Sequence, residues 1–237
     1  MVKLDKSWLC VAIFTISISI YGIANAANNK QTNSKVYVGA NYGVGIANKF
    51  DYDEELDTVR PKNSRIFGLS LGYKFNDNIR AELAFNRFHK FKYENNDCEK
   101  DPEGTVARNH YNQKISSNNL FANFYFDVNK FGQFTPYLNA GFGISKNKAG
   151  DFTNFAYEEG GNPGTREVYY KKNSKSKFAW NIGAGIAYNV NNKVSLDLIN
   201  YKYYNLGQVA TEKDEDGDYF KSNLKVHNVS TGIRINL

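Results

Sequence analysis

The sequence predicts an all-β chain, an eight-stranded antiparallel transmembrane β-barrel with four long extracellular loops and short periplasmic turns. Three observations predict it: period-two alternation recurring along the chain, connections that alternate between short and long, and an export segment at the start. Composition agrees. A mean hydropathy of -0.57 coexists with 17 Tyr, 17 Phe and 19 Gly among 237 residues, a balance that fits strands with one apolar and one polar face.

The first residues address the chain. Lys3 and Lys6 precede an apolar run from Trp8 to Ile23, followed by Ala24, Asn25 and Ala26. A basic start, a short apolar stretch and small residues form a secretory signal peptide, here residues 1–26, leaving 27–237 as the barrel. Leu9 before Cys10 excludes lipoprotein anchoring, and the mature chain keeps Cys98 alone, so it forms no internal disulfide. Removing two Lys and one Asp leaves a mature charge of +5. With no Lys/Arg run and no recognition helix, nucleic acid is not an expected partner.

Each strand is read from its alternation. Phe67, Leu69, Leu71, Tyr73 and Phe75 interleave with Gly68, Ser70, Gly72 and Lys74, which puts large apolar side chains on one face and small or polar ones on the other. The same pattern predicts strands over 35–47, 65–75, 79–88, 116–127, 135–145, 177–189, 194–204 and 224–237. Each is near the roughly ten residues a tilted strand needs to cross a bilayer. Only helices and closed barrels satisfy all backbone polar groups in lipid.

The connections at 76–78, 129–133 and 191–192 are short and rich in Asn, Asp and Gly, residues suited to tight turns. Those at 48–64, 89–115, 146–176 and 205–223 are long and polar. Gly39, Gly43, Gly141, Gly143, Gly183 and Gly185 fall on the lumen face, making room inside a narrow barrel. Tyr73, Phe75, Phe126 and Tyr188 near strand ends suit an aromatic girdle.

The alternating end Gly232-Ile233-Arg234-Ile235-Asn236-Leu237, with the segments Thr135 to Ile144 and Asn181 to Ile186, carries a resemblance. The chain resembles the small eight-stranded surface proteins of the OmpA, OmpX, Ail and opacity-protein kind, most of all adhesin-type surface antigens of obligate intracellular bacteria. That resemblance implies a bacterial outer-membrane location and contact with outer-membrane lipid and lipopolysaccharide. It also implies insertion by the outer-membrane assembly machinery, although the last residue is Leu where the family usually has Phe. The function it implies is adhesion: extracellular loops that bind host-cell or serum proteins and aid serum resistance. The alternative is a structural barrel or a narrow channel without a host ligand.

Chemistry has few candidates. Lys74, Arg80, Glu82, Asp197 and Arg234 fall on lumen faces, and ion pairs filling an eight-stranded interior are the reading to expect. His227 and Ser230, three apart, point to opposite faces and form no catalytic pair. The three histidines have no metal-ligand spacing. The acidic stretch Glu212 to Asp218 imitates the start of a calcium loop, but Asn223 stands where a bidentate Glu belongs. No catalytic residue, metal or cofactor is expected. Ligand contacts are assigned to the third loop, at Tyr157, Arg166, Tyr169, Tyr170, Lys171 and Lys172, because Tyr and Arg anchor protein interfaces and loops on a rigid scaffold carry binding.

Overall fold

In the computed structural model, residues 35–48, 61–100, 106–158, 166–213 and 221–237 are described; at 95–100, 106–111, 154–158 and 166–169 only the backbone is. The predicted signal segment, residues 1–26, lies outside these residues. Eleven strands follow in order: β1 (Val36–Ala47), β2 (Pro61–Lys62), β3 (Ser64–Lys74), β4 (Ile79–Lys100), β5 (Val106–Asp127), β6 (Phe134–Ala149), β7 (Phe152–Glu158), β8 (Arg166–Tyr170), β9 (Asn173–Asn189), β10 (Val194–Ala210) and β11 (Lys221–Asn236).

Eight of them close a ring. Around it run β1, β3, β4, β5, β6, β9, β10 and β11, and β11 returns to β1 from Tyr37↔Asn236 to Ala47↔Val226. Every neighbour is antiparallel. Closure removes the edges that would otherwise expose unpaired backbone groups.

The pleat then sorts side chains as the alternation predicts. Leu69, Leu71, Leu83, Leu138, Ile182 and Val229 are 50 to 56% exposed on the outside. So continuous an apolar exterior has no place in water and defines a lipid-facing band. All six glycines assigned to the lumen share the face of buried neighbours such as Tyr37, Asn139 and Asn181.

Short turns form where Asn can accept from the following backbone. Asn76 Oδ1 takes the N–H of Asn78 at 2.9 Å and of Ile79 at 2.7 Å, while Asn191 Oδ1 takes those of Lys193 and Val194 at 2.9 and 2.8 Å. These side chains mimic the turn's own hydrogen bonds. Between β5 and β6, Gly132 adopts φ 61°, a left-handed conformation that a Cβ disfavours.

The strands outrun their predicted limits at the long-loop end. β4 and β5 stay paired as far as Lys100↔Val106, so the second loop is largely a hairpin rather than an irregular polar stretch. The break in period that ends the predicted strand at Phe88 is a bulge: His89 and Lys90 are both exposed, and burial resumes at Phe91 and Tyr93. One inserted residue reverses the parity of all that follow. A second bulge in β10 lets Leu198 and Ile199 both face outward, returning Asn200, Lys202 and Tyr204 to the lumen.

Candidate functional site

Two places could carry function, the lumen and the ledge formed by the long loops. The lumen is layered. Toward the short turns Arg80, 1% exposed, sits between Glu82 at 3.0 Å and Asp127 at 3.0 Å, with its guanidinium 3.9 Å from the Tyr125 ring centre. Tyr37 Oη donates to Glu82 at 2.8 Å. Beside them Arg234 pairs with Asp197 at 3.1 Å, Lys202 Nζ donates to Tyr125 Oη at 2.8 Å, and Lys74 Nζ donates to Asn236 Oδ1 at 2.9 Å. The five lumen charges foreseen from alternation therefore line the interior. Lys202 joins them only because the β10 bulge turns it inward.

Room for this cluster comes from glycine. Gly72 lies opposite Tyr37 and Gly185 opposite Tyr137, and in each pair a Cβ on the glycine would collide with the tyrosine ring. Above the charges lies an amide and hydroxyl layer. Asn139 donates to Asn181 at 3.1 Å and Asn181 to Asn123 at 2.8 Å; Ser117, Ser145 and Asn147 bond one another at 2.6 to 2.8 Å.

Sequence reasoning missed the third layer. Ile66, Phe88, Phe91, Phe121, Tyr204, Leu206, Leu224 and Val226 are buried together at the long-loop end. Phe88 meets Tyr204 edge-on at 5.1 Å, and Phe121 lies 5.5 Å from the same ring. The lumen was expected to be small and polar throughout, but its outer part is an apolar plug. The signal was present in Phe91 and Tyr93 alternating with Lys92 and Glu94, obscured by the bulge before them.

The ledge is a sheet. β2 pairs β4 at Lys62↔Lys92, β5 pairs β7 from Ala107↔Glu158 to Asn112↔Thr153, and β7 pairs β8. With the extended β4 and β5 this makes five strands in the order β2, β4, β5, β7, β8, drawn from three predicted loops. Backbone hydrogen bonding carries the barrel wall outward into a ledge.

The six predicted contact residues fall on this ledge or at its margin. Tyr157 lies in β7 opposite Arg108, Arg166 starts β8 opposite Phe155, and Tyr169 falls in the irregular step between the Thr153↔Val168 and Phe152↔Tyr170 pairs. The side chains of these three are outside the described residues. Tyr170 is half-buried, 6.0 Å from Phe152 and packed on the apolar plug. Lys171 and Lys172 are exposed, their backbones tied to Glu212 N–H at 3.0 Å and Asp151 Oδ1 at 2.8 Å.

The residues weighed for catalysis stand apart. His227 faces outward with Nδ1 2.8 Å from Tyr201 Oη, whereas Ser230 is buried and donates to the Asn200 carbonyl at 3.4 Å. No group of three potential ligands stands together among the described residues. Residues 214–220 of the acidic fourth loop lie outside them.

A closed eight-stranded barrel with an apolar exterior, a filled interior and a raised loop ledge defines the class: a small outer-membrane barrel. The chain belongs to the outer membrane protein beta-barrel domain family, whose model matches residues 13–234. It is similar to the outer membrane protein PagN of Salmonella typhimurium, 26% identical over 222 residues, covering 88% of this chain and 87% of that one. An uncharacterised protein of Brucella abortus is 27% identical over 215 residues, covering 80% and 73%. The crystal structure of Neisserial surface protein A superposes with a TM-score of 0.52 at 18% identity, covering 87% of this chain and all of the other. The protein is a surface protein of the bacterial outer membrane, its strands crossing the bilayer several times and its loops exposed to the exterior.

Proposed function

We propose that this protein is a surface adhesin whose barrel anchors the loop ledge against a host-cell or serum protein, aiding serum resistance, and that it acts by recognition without catalysis. The observation that carries this reading is the five-stranded ledge. Three loops that would otherwise be ordered on binding, at an entropic cost, are held in advance by backbone pairing. Lys171 and Lys172 stand exposed at its margin, and Tyr157, Arg166 and Tyr169 are its remaining contact candidates. The outer-membrane assembly machinery is the partner that inserts the barrel, through its terminal strand.

The test is binding of surrogate bacteria displaying the full protein to host cells and immobilised serum proteins. In the comparison variant a short Asn-Gly turn replaces residues 91–114, and heat-modifiable gel mobility confirms that the barrel still folds. Loss of binding in that variant supports the reading, and so does a fall for Lys171→Ala with Lys172→Ala. Binding that persists in both sinks it.

A second reading, a structural barrel without a host ligand, is favoured over a channel by the buried layers in the lumen. An eight-stranded interior is just wide enough for side chains to fill.

A further inference from the structure

Toward the short turns the lumen carries more positive than negative charge. Lys74, Arg80, Lys202 and Arg234 face Glu82, Asp127 and Asp197, four cations against three carboxylates in this layer. Arg80 takes two of the acids and Arg234 the third. Among the described residues neither Lys74 nor Lys202 has a carboxylate within ion-pair distance; their ammonium groups donate to the Asn236 amide and the Tyr125 hydroxyl. An uncompensated charge held away from water is expensive.

The hydrogen bonds are unbalanced in the same direction. Arg80 uses Nε on Asp127 and Nη1 on Glu82 and Tyr37, and its Nη2 has no partner among the described residues. Arg234 reaches Asp197 through Nη2, and its Nε is likewise unpartnered. Tyr137 Oη is a third such atom. All three side chains are more than nine-tenths buried. Of the unpartnered atoms in this layer, Asn200 Oδ1 alone can only accept. A buried donor left unmet costs most when it is charged.

The two guanidiniums converge, lying 5.0 and 6.0 Å from the centre of the same Tyr137 ring. Lys74 stands opposite Arg80 on the neighbouring strand, 5.7 Å from the Tyr37 ring whose hydroxyl Arg80 also contacts. Its amide partner Asn236 is on the same strand as Arg234, two residues further along. At the turn-end mouth the exposed Lys35 and Lys130 and the half-buried Lys193 stand against Asp77. A field of that sign draws anions toward the lumen.

We infer that the lumen binds one small monovalent anion of the halide kind, held between Arg80 Nη2 and Arg234 Nε beside Tyr137 Oη, and that it balances the charge Lys74 adds. Water would meet the three donors but leave the excess charge, and an excess of one calls for a monovalent ion. An eight-stranded interior filled by side chains admits only a small one. This site is separate from the loops and does not depend on the proposed adhesion.

The full mature chain, refolded in neutral detergent, is unfolded by urea at matched ionic strength in mixtures of sodium chloride and sodium gluconate, whose anion is too bulky for the lumen. Stability should rise with chloride, the folding constant increasing about tenfold for each tenfold rise in chloride once the site fills. Lys74→Gln leaves three charges of each sign in the layer. It should lose the chloride dependence while folding in gluconate at least as well as the parent, whereas K225Q, outside the lumen at the long-loop end, keeps the dependence. Crystals of the parent grown in bromide should show anomalous scattering within hydrogen-bond reach of Arg80 Nη2 and Arg234 Nε. Equal stability in chloride and gluconate overturns the inference, a result that needs no variant to fold. So does chloride dependence undiminished in Lys74→Gln, or bromide found on exposed lysines alone.

Discussion

Replacing Arg80 by Met tests whether the lumen charges hold the barrel together. Arg80 is 1% exposed and supplies 3.0 Å contacts to both Glu82 and Asp127, with a further 3.2 Å hydrogen bond to Tyr37 Oη. Met keeps much of the stem's volume and removes every one of these bonds, leaving Glu82 with the 2.8 Å bond from Tyr37. Breaking one side of a buried pair costs about 3–5 kcal/mol because a buried charge is left uncompensated. With a urea slope of roughly 2 kcal/mol per molar, the unfolding midpoint falls by about 2 M. Trp180 is 40% exposed on the outer face and is the one tryptophan after residue 8, so in a chain that starts at Ala27 its fluorescence reports leaving the lipid. Unfolding from lipid vesicles would be followed for Arg80→Met, Glu82→Gln and the double variant. Because the two side chains touch, the double variant should lose less than the sum of the singles, by about 1 kcal/mol or more. A midpoint within 0.5 M of the parent for Arg80→Met, taken as about 1 kcal/mol, or additive single losses, refutes the reasoning.

Other outcomes follow from the same geometry. Gly72→Val puts side-chain atoms into the Tyr37 ring and should abolish the heat-modifiable folded band, with Tyr37→Ala restoring it; a folded single variant would contradict the glycine-for-tyrosine exchange. In planar bilayers the parent should show no steady conductance. Phe121→Ala in the apolar plug should lower stability by about 3–5 kcal/mol through the cavity it leaves, measured by the same urea unfolding. Mass spectrometry of outer-membrane protein should find the mature chain starting at Ala27; a chain retaining Met1 would remove the signal-peptide reading.

Much of the barrel is legible in local pattern because a strand's period of two is a property of the backbone. The segment Phe67 to Phe75 needs no partner to declare which side chains share a face, and β3 presents them accordingly. The Asn-rich turns are equally local, since Asn76 and Asn191 bond backbone only two and three residues ahead. Lys74, Arg80, Glu82, Asp197 and Arg234 could be assigned to the interior on parity alone.

What parity could not supply was anything created by another strand. The bulges at Phe88/Phe91 and at Asp197/Ile199 each add a residue and invert the faces beyond them, so Lys202 and, of the apolar plug, Phe91, Tyr93, Tyr204 and Leu206 lay outside the simple pattern. Arg80 meeting Asp127, Gly72 making way for Tyr37, and Lys92 standing against Lys114 depend on register between strands. The sequence by itself determined the class of fold and the inward and outward faces, because these rest on short-range geometry and composition. The tertiary structure alone decided the layering of the lumen and the joining of three loops into one ledge. Those features arise from contacts between residues far apart in the chain, whose alignment is set when the barrel closes.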